Sequence, residues 1–148
     1  MSNSKNAPLT PFPIVRDIRV AVVRTLWNSH ITEALMAGAL DTFEVPGAIE
    51  LTFAASKLVD TGLYDAVVTL GCVIRGGTPH FDYVCQAVTQ GNALLNSDCD
   101  IPIIFGILTV DNEQDAIDRA GGKLGNKGSE AAEAALLMYD FVEKVNNI

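Results

Sequence analysis

The chain has 148 residues, 49% of them hydrophobic and 19% charged, with a formal net charge of -8. That length suits one domain with a full core, and the acidic balance argues against a general binder of nucleic acid or of an anionic membrane surface. Cys72, Cys85 and Cys99 show no CxxC spacing, so neither a disulfide framework nor a zinc site is suggested, and no apolar run approaches the ~20 residues of a membrane span. So few charges leave little to solvate a surface, which points to a homo-oligomer. Residues 1–13 are polar and proline-bearing and read as a mobile N-terminal arm before a single domain over residues 14–148. Without an apolar leader the expected location is cytoplasmic; a plastid form whose transit peptide had been removed would read the same way.

Taken in order, residues 19–23 (Arg-Val-Ala-Val-Val) form a short apolar run expected of a parallel strand covered on both faces. Asn28 or Ser29 can cap a helix with Ile31, Leu35 and Gly38/Ala39 at helical spacing. Phe43-Glu44-Val45 reads as a second strand, stopped by Pro46-Gly47. The spacing predicts a helix over residues 49–59, a strand over 66–74, a helix over 81–95, a strand over 101–108, a short helix over 114–120 and a long final helix over 130–145. Strands alternating with helices imply an α/β, three-layer α/β/α open parallel sheet, whose ligands gather at the carboxyl ends of the strands.

The most telling segment is Ile74-Arg75-Gly76-Gly77-Thr78-Pro79-His80. An apolar strand ends, two glycines let backbone approach a ligand, and Thr78-Pro79 reads as a helix cap and first turn. Helix-start amides bind phosphate, and His80 just inside the helix would stand beside it as an acid/base group. A lone histidine is more often a surface or satisfied core group; its place after a glycine turn at a strand end reverses that. His30 has no such setting and reads as a solvated first-turn residue. Glu50, just past Pro46-Gly47, is equally an ordinary helix-start carboxylate favoured by the dipole. Arg119, Lys123 and Lys127 form the basic concentration of an acidic chain, among Gly121, Gly122, Gly125 and Gly128; a solvated loop is the plainer explanation. Trp27 and Phe105 have core anchoring as theirs.

Four segments in order resemble the lumazine synthase family of riboflavin biosynthesis: Val45-Pro46-Gly47-Ala48-Ile49-Glu50-Leu51, then Val73 to Val84 with its Arg-Gly-x-Thr-x-His-Phe-Asp-Tyr core, then Phe105-Gly106-Ile107-Leu108-Thr109, then Arg119-Ala120-Gly121-Gly122-Lys123 with Gly125-Asn126-Lys127-Gly128. The resemblance implies a flavodoxin-like fold and the condensation of 5-amino-6-ribitylaminouracil with 3,4-dihydroxy-2-butanone 4-phosphate, without cofactor or metal. It implies His80 as the catalytic proton carrier. It implies Trp27 as the stacking aromatic with Asn28 beside it, Glu50 with the amides of Ala48 and Ile49 for the ribityl chain, and Val73 and Ile74 for the pyrimidine edge. Gly77 and Thr78 with Arg119 would hold the phosphate. Lys127 would approach the other substrate's carbonyl, and Phe105 would line the pocket of an adjacent subunit. Asp82 and Glu130 are expected partners for the histidine or for basic residues. Pentamers or assemblies of pentamers are implied, with riboflavin synthase as a pathway partner, and the short turn over residues 121–127 would permit a capsid.

The family's first helix and following loop are usually longer than residues 24–42 allow. A parallel crossover needs at least ~10–12 residues, so the passage is either trimmed to its minimum or lacks a segment near Asp41; the second is the reading preferred. Two other function classes stay open on the residues alone: a nonenzymatic flavin or lumazine binder, which could lose the phosphate clamp, and a phosphate-binding α/β enzyme acting on another sugar phosphate.

Overall fold

The structure, a computed structural model, describes residues 17–36 and 41–148. The arm expected over residues 1–13 and the helical positions Gly38 and Ala39 lie outside them. Four parallel strands form the sheet: β1 (Val20–Thr25), β2 (Asp41–Val45), β3 (Ala66–Ile74) and β4 (Ile103–Val110), in the order β2-β1-β3-β4. This is the flavodoxin-like order, which reverses direction between β1 and β3 and opens a crevice at their carboxyl ends.

The helices are α1 (Ser29–Leu35), α2 (Ala48–Asp60), α3 (His80–Ser97), α4 (Glu113–Arg119) and α5 (Lys127–Asn146). Side chains alternate across the pleat, so the sheet feeds two cores. Val22, Val68, Leu70, Cys72 and Leu108 pack with Ile31 and Leu35 of α1, Ala116 of α4 and Ala131 and Ala135 of α5. Ala21, Val23, Val67, Ile103 and Ile107 pack with Leu51, Ala55 and Leu58 of α2 and Val88 of α3. Three layers result, as the alternation of elements predicts. The two outer edges differ: β2 carries Asp41 and Glu44, whereas β4 reads Ile-Ile-Phe-Gly-Ile-Leu-Thr-Val without a charge.

Element boundaries depart from the sequence reading by one to three residues: β4 runs over residues 103–110 where 101–108 is expected, and helix starts shift as well. Thr78 does not cap α3: Pro79 stands at the N-cap without a side-chain bond, and the helix opens at His80. Lys127 opens α5, earlier than the expected Glu130, because the Asn126 side chain accepts from the Gly128 and Ser129 amides at 2.8 and 3.2 Å. A small antiparallel hairpin, β5 (Ala120–Gly122) with β6 (Gly125–Asn126), stands where a plain turn is expected. Gly121 and Gly125 take positive φ, 111° and 85°, and so tighten it.

Candidate functional site

The crevice between β1 and β3 is built from its backbone outward. Beyond Thr25 the chain turns through Trp27 and Asn28. The Trp27 amide donates to Pro46 O (3.1 Å), and Trp27 O accepts from the Thr25 hydroxyl (3.0 Å). The indole is 68% exposed, yet it lies so close over Gly47 that a Cβ there would sit 2.6 Å from Cε3. Glycine is therefore required at 47 to seat the ring. Next to it, Glu50 accepts from the Gly47 amide (3.0 Å), a capping box at the start of α2. The helix-start reading of Glu50 is therefore the one the structure shows, and the carboxylate also lies beside the residue that seats the indole. Ala48 is buried, whereas Ile49 is half exposed.

Asn28 does not cap α1 through its side chain. It takes a left-handed conformation (φ 58°, ψ 41°), and its amide nitrogen donates to Cys72 O at 2.9 Å on β3. The Cys72 thiol is pushed up to about 11, first by burial and then by the Glu113 carboxylate. It stays protonated and unreactive at neutral pH. His30, in the first turn of α1, pairs with Glu113 at 2.8 Å.

At the end of β3, Val73 and Ile74 are half-buried and residues 75–80 are exposed. A Cβ at Gly76 or Gly77 would meet nothing within 4 Å, so the fold itself leaves room there for a ligand. Thr78 and His80 face the same open ground, and His80 makes no hydrogen bond or ion pair among the described residues. Its imidazole is free to exchange protons with a bound molecule.

A second cleft of about 380 Å³ opens at the ends of β3 and β4, lined by Arg75, Phe81, Asp111, Asp115 and Arg119 among others. Arg75 lies over the Phe81 ring at 4.1 Å and donates to Asp111 (2.7 Å) and Asp82 (3.3 Å). The Asp111 hydrogen bond is the main reason its guanidinium is held above the ordinary range. Arg119 donates to Asp115 O at 2.9 Å, and its nearest carboxylate oxygen is 3.8 Å away. The preceding residue, Asp118, is buried and accepts from Lys123 (2.9 Å) and Gln114 (2.9 Å). Those bonds, Lys123 first, hold its carboxyl below the usual range and hold Lys123 above its own. Lys127 pairs with Glu130 at 2.7 Å, so Asp82 and Glu130 do serve basic residues.

The structure thus brings Trp27 and Glu50 together about Gly47 and puts Arg119 in the cleft lined by Arg75 and Phe81, which flank the glycine loop and His80. Phe105 is the third residue of β4, opposite Thr69 in the middle of β3 and on an outer edge strand of the sheet. Sequence reasoning passed over Gly47 as a seat, Arg75 with its two carboxylates, and the Asp118–Lys123 pair. The Val-Pro-Gly and Ile-Arg-Gly runs were the available signals for the first two. Chemically, the crevice offers a flat aromatic face, a carboxylate and an unengaged imidazole, and the cleft offers guanidinium groups for an anion.

Comparison with known proteins is consistent across the chain. The family model described as 6,7-dimethyl-8-ribityllumazine synthase matches residues 17–143. The 6,7-dimethyl-8-ribityllumazine synthase of Phocaeicola vulgatus is 46% identical over 146 residues, taking in 90% of this chain and 87% of that protein. That of Parabacteroides distasonis is 49% identical over 142 residues (87% and 89%), and that of Bacteroides fragilis 46% over 142 residues (87% and 99%). In each alignment the positions compared outnumber the residues of this chain that take part, so each relative has residues without a counterpart here. This fits an α1 of seven residues where α2 and α3 have 13 and 18.

Proposed function

Because the chain belongs to the 6,7-dimethyl-8-ribityllumazine synthase family, we propose that its site is completed by two copies, one giving Trp27, Glu50 and His80 and the next giving Phe105, Arg119 and Lys127. The reaction is the condensation of 5-amino-6-ribitylaminouracil with 3,4-dihydroxy-2-butanone 4-phosphate. It yields 6,7-dimethyl-8-ribityllumazine, phosphate and water, in riboflavin biosynthesis.

The pyrimidine stacks on the exposed face of Trp27, its edge read by the main chain of Val73 and Ile74. The ribityl hydroxyls meet the Glu50 carboxylate and the Ala48 and Ile49 backbone. The sugar phosphate rests on the open Gly77-Thr78 backbone and on Arg119, whose planar fork suits phosphate oxygens. The primary amine attacks the ketone and an imine forms with loss of water. His80 takes a proton from carbon as phosphate leaves and returns protons through the tautomerisation that follows. The second nitrogen then closes the ring with loss of water, while Lys127 steadies the carbonyl oxygen. Holding both partners in register supplies ~7–11 kcal/mol of the acceleration.

One observation carries the shared site. Phe105 lies on the outer edge strand, 39% exposed, and five residues of strand, about 16 Å at ~3.3 Å each, separate it from Val110 at the end of β4. It cannot join the crevice of its own chain without unravelling β4; on the edge it is presented outward, to a neighbour. Exposed Phe53 (70%), Tyr83 (69%) and Leu94 (71%) on α2 and α3 add apolar surface for contact between copies. The assembly is a pentamer or is built of pentamers. The location is cytoplasmic, in keeping with bacterial relatives and with described helices none of which is long and apolar enough to cross a membrane.

The test is mixing. His80→Ala chains and Arg119→Ala chains, each nearly inactive, are dissociated, combined and reassembled, and lumazine formation is followed by absorbance. Partial recovery is expected, from interfaces that pair an intact histidine half with an intact arginine half. Mixed oligomers confirmed by mass but no more active than either parent would place a whole site in each chain.

A further inference from the structure

Asn28 is the one non-glycine residue with positive φ among those described. Left-handed backbone is strained for most side chains and tolerated by asparagine. The β1–β3 ladder ends at the pair Arg24 with Leu70, two residues before Cys72. Beyond that pair the strands separate to open the crevice. Cys72 is 5% exposed, and a buried carbonyl needs a donor. The Asn28 amide nitrogen is that donor, at 2.9 Å, so the side chain continues in one bond what the ladder no longer provides.

The corner so pinned carries Trp27. Its amide is tied to Pro46 at the end of β2, its carbonyl to Thr25 on β1, and its neighbour Asn28 to Cys72 on β3. Three strands therefore meet on two residues, and the indole above Gly47 inherits their geometry. We propose that Asn28 is a positioning residue: through Cys72 O it sets the tilt of the Trp27 ring, and its amide nitrogen is a strut across the crevice and not a ligand of the substrate. The effect on catalysis rests on the reading of Trp27 as the pyrimidine platform.

Trp27 is the sole tryptophan, so its fluorescence reports the corner with or without turnover. Asn28→Gly keeps access to left-handed backbone and removes the strut; Asn28→Asp keeps the shape and turns an acceptor toward an acceptor. In the assembled protein, both variants should lower Trp27 anisotropy and raise its quenching by acrylamide. Both should raise the KM for the pyrimidine roughly fivefold, the equivalent of one ordinary hydrogen bond, with kcat and the KM for the sugar phosphate within about twofold. If Asn28→Asp fails to assemble, Asn28→Gly decides. Unchanged anisotropy and quenching in Asn28→Gly overturn the proposal, and a raised pyrimidine KM alongside them makes Asn28 a direct ligand. If the unaltered protein forms no lumazine, the proposed function falls while the fluorescence comparison still decides the strut.

Discussion

At the β1–β2 end of the molecule, Trp27 and Glu50 are held by main-chain hydrogen bonds and by the close seat on Gly47. At the β3–β4 end, Arg75 is held by two carboxylates largely open to water, and Arg119 by the Asp115 main-chain carbonyl with that residue's carboxylate 3.8 Å away. The first arrangement has no charge-to-charge term to screen and responds to shape. The second is built of exposed ion pairs, each contributing about 0–1 kcal/mol, and responds to salt and to competing anions. A flat, uncharged ring needs the first kind of support. On the proposed function, a phosphate that enters as an ester and leaves as inorganic phosphate is served by Arg119, whose present partner is weak.

The largest expected effect belongs to neither region. His80→Ala should slow product formation by ~10²-fold, since general acid–base catalysis has that magnitude, and leave the melting temperature unchanged because the imidazole is exposed and unpaired. A comparable drop in melting temperature would make His80 a structural group. Arg119→Lys comes next. It keeps the charge but loses the fork, raising the KM for the sugar phosphate by about tenfold, or 1–2 kcal/mol. An equal rise for the pyrimidine would erase the distinction between the two regions. Gly47→Ala tests the other side: a Cβ 2.6 Å from the indole must displace the ring, raising the pyrimidine KM roughly fivefold, the scale of a strained contact of about 1 kcal/mol. Sugar-phosphate binding should hold.

The smallest effect is one of pH. The folded-state pKa of Asp118 is depressed, so its stabilising contribution is present above the ordinary aspartate value near ~3.9 and is lost as pH falls through the folded value. The melting temperature of the unaltered chain should therefore exceed that of Asp118→Asn at pH 6 and converge with it in acid, as pH falls through the depressed folded value. A gap that persists in acid would show that the carboxylate's charge is not what holds the α4–β5 corner.

What the sequence made legible follows from the range of the interactions. Strand β3 is an unbroken apolar run because both faces are covered, and its predicted bounds, residues 66–74, are those observed. The glycine loop and His80 are local, so their exposure could be anticipated. Asn28 was read as a helix cap and, by resemblance, as a site residue beside Trp27; its bond to Cys72 was not legible because that partner lies 44 residues away. Arg75 was quoted in a motif without a role, because Asp111 is 36 residues away. The β5–β6 hairpin was hidden by its brevity, its strands having three and two residues. Of the two readings of Glu50, the helix-start one rested on local sequence and is the one observed.

The uncharged edge strand β4 has a consequence for the life of the chain in the cell. Eight residues without charge or proline line an outer edge of the sheet, and such an edge is a template for indiscriminate pairing with other extended chains. On the shared-site proposal, a newly made chain that waits alone is exposed both to inactivity and to misassociation, so the abundance of the protein would act on quality as well as on rate.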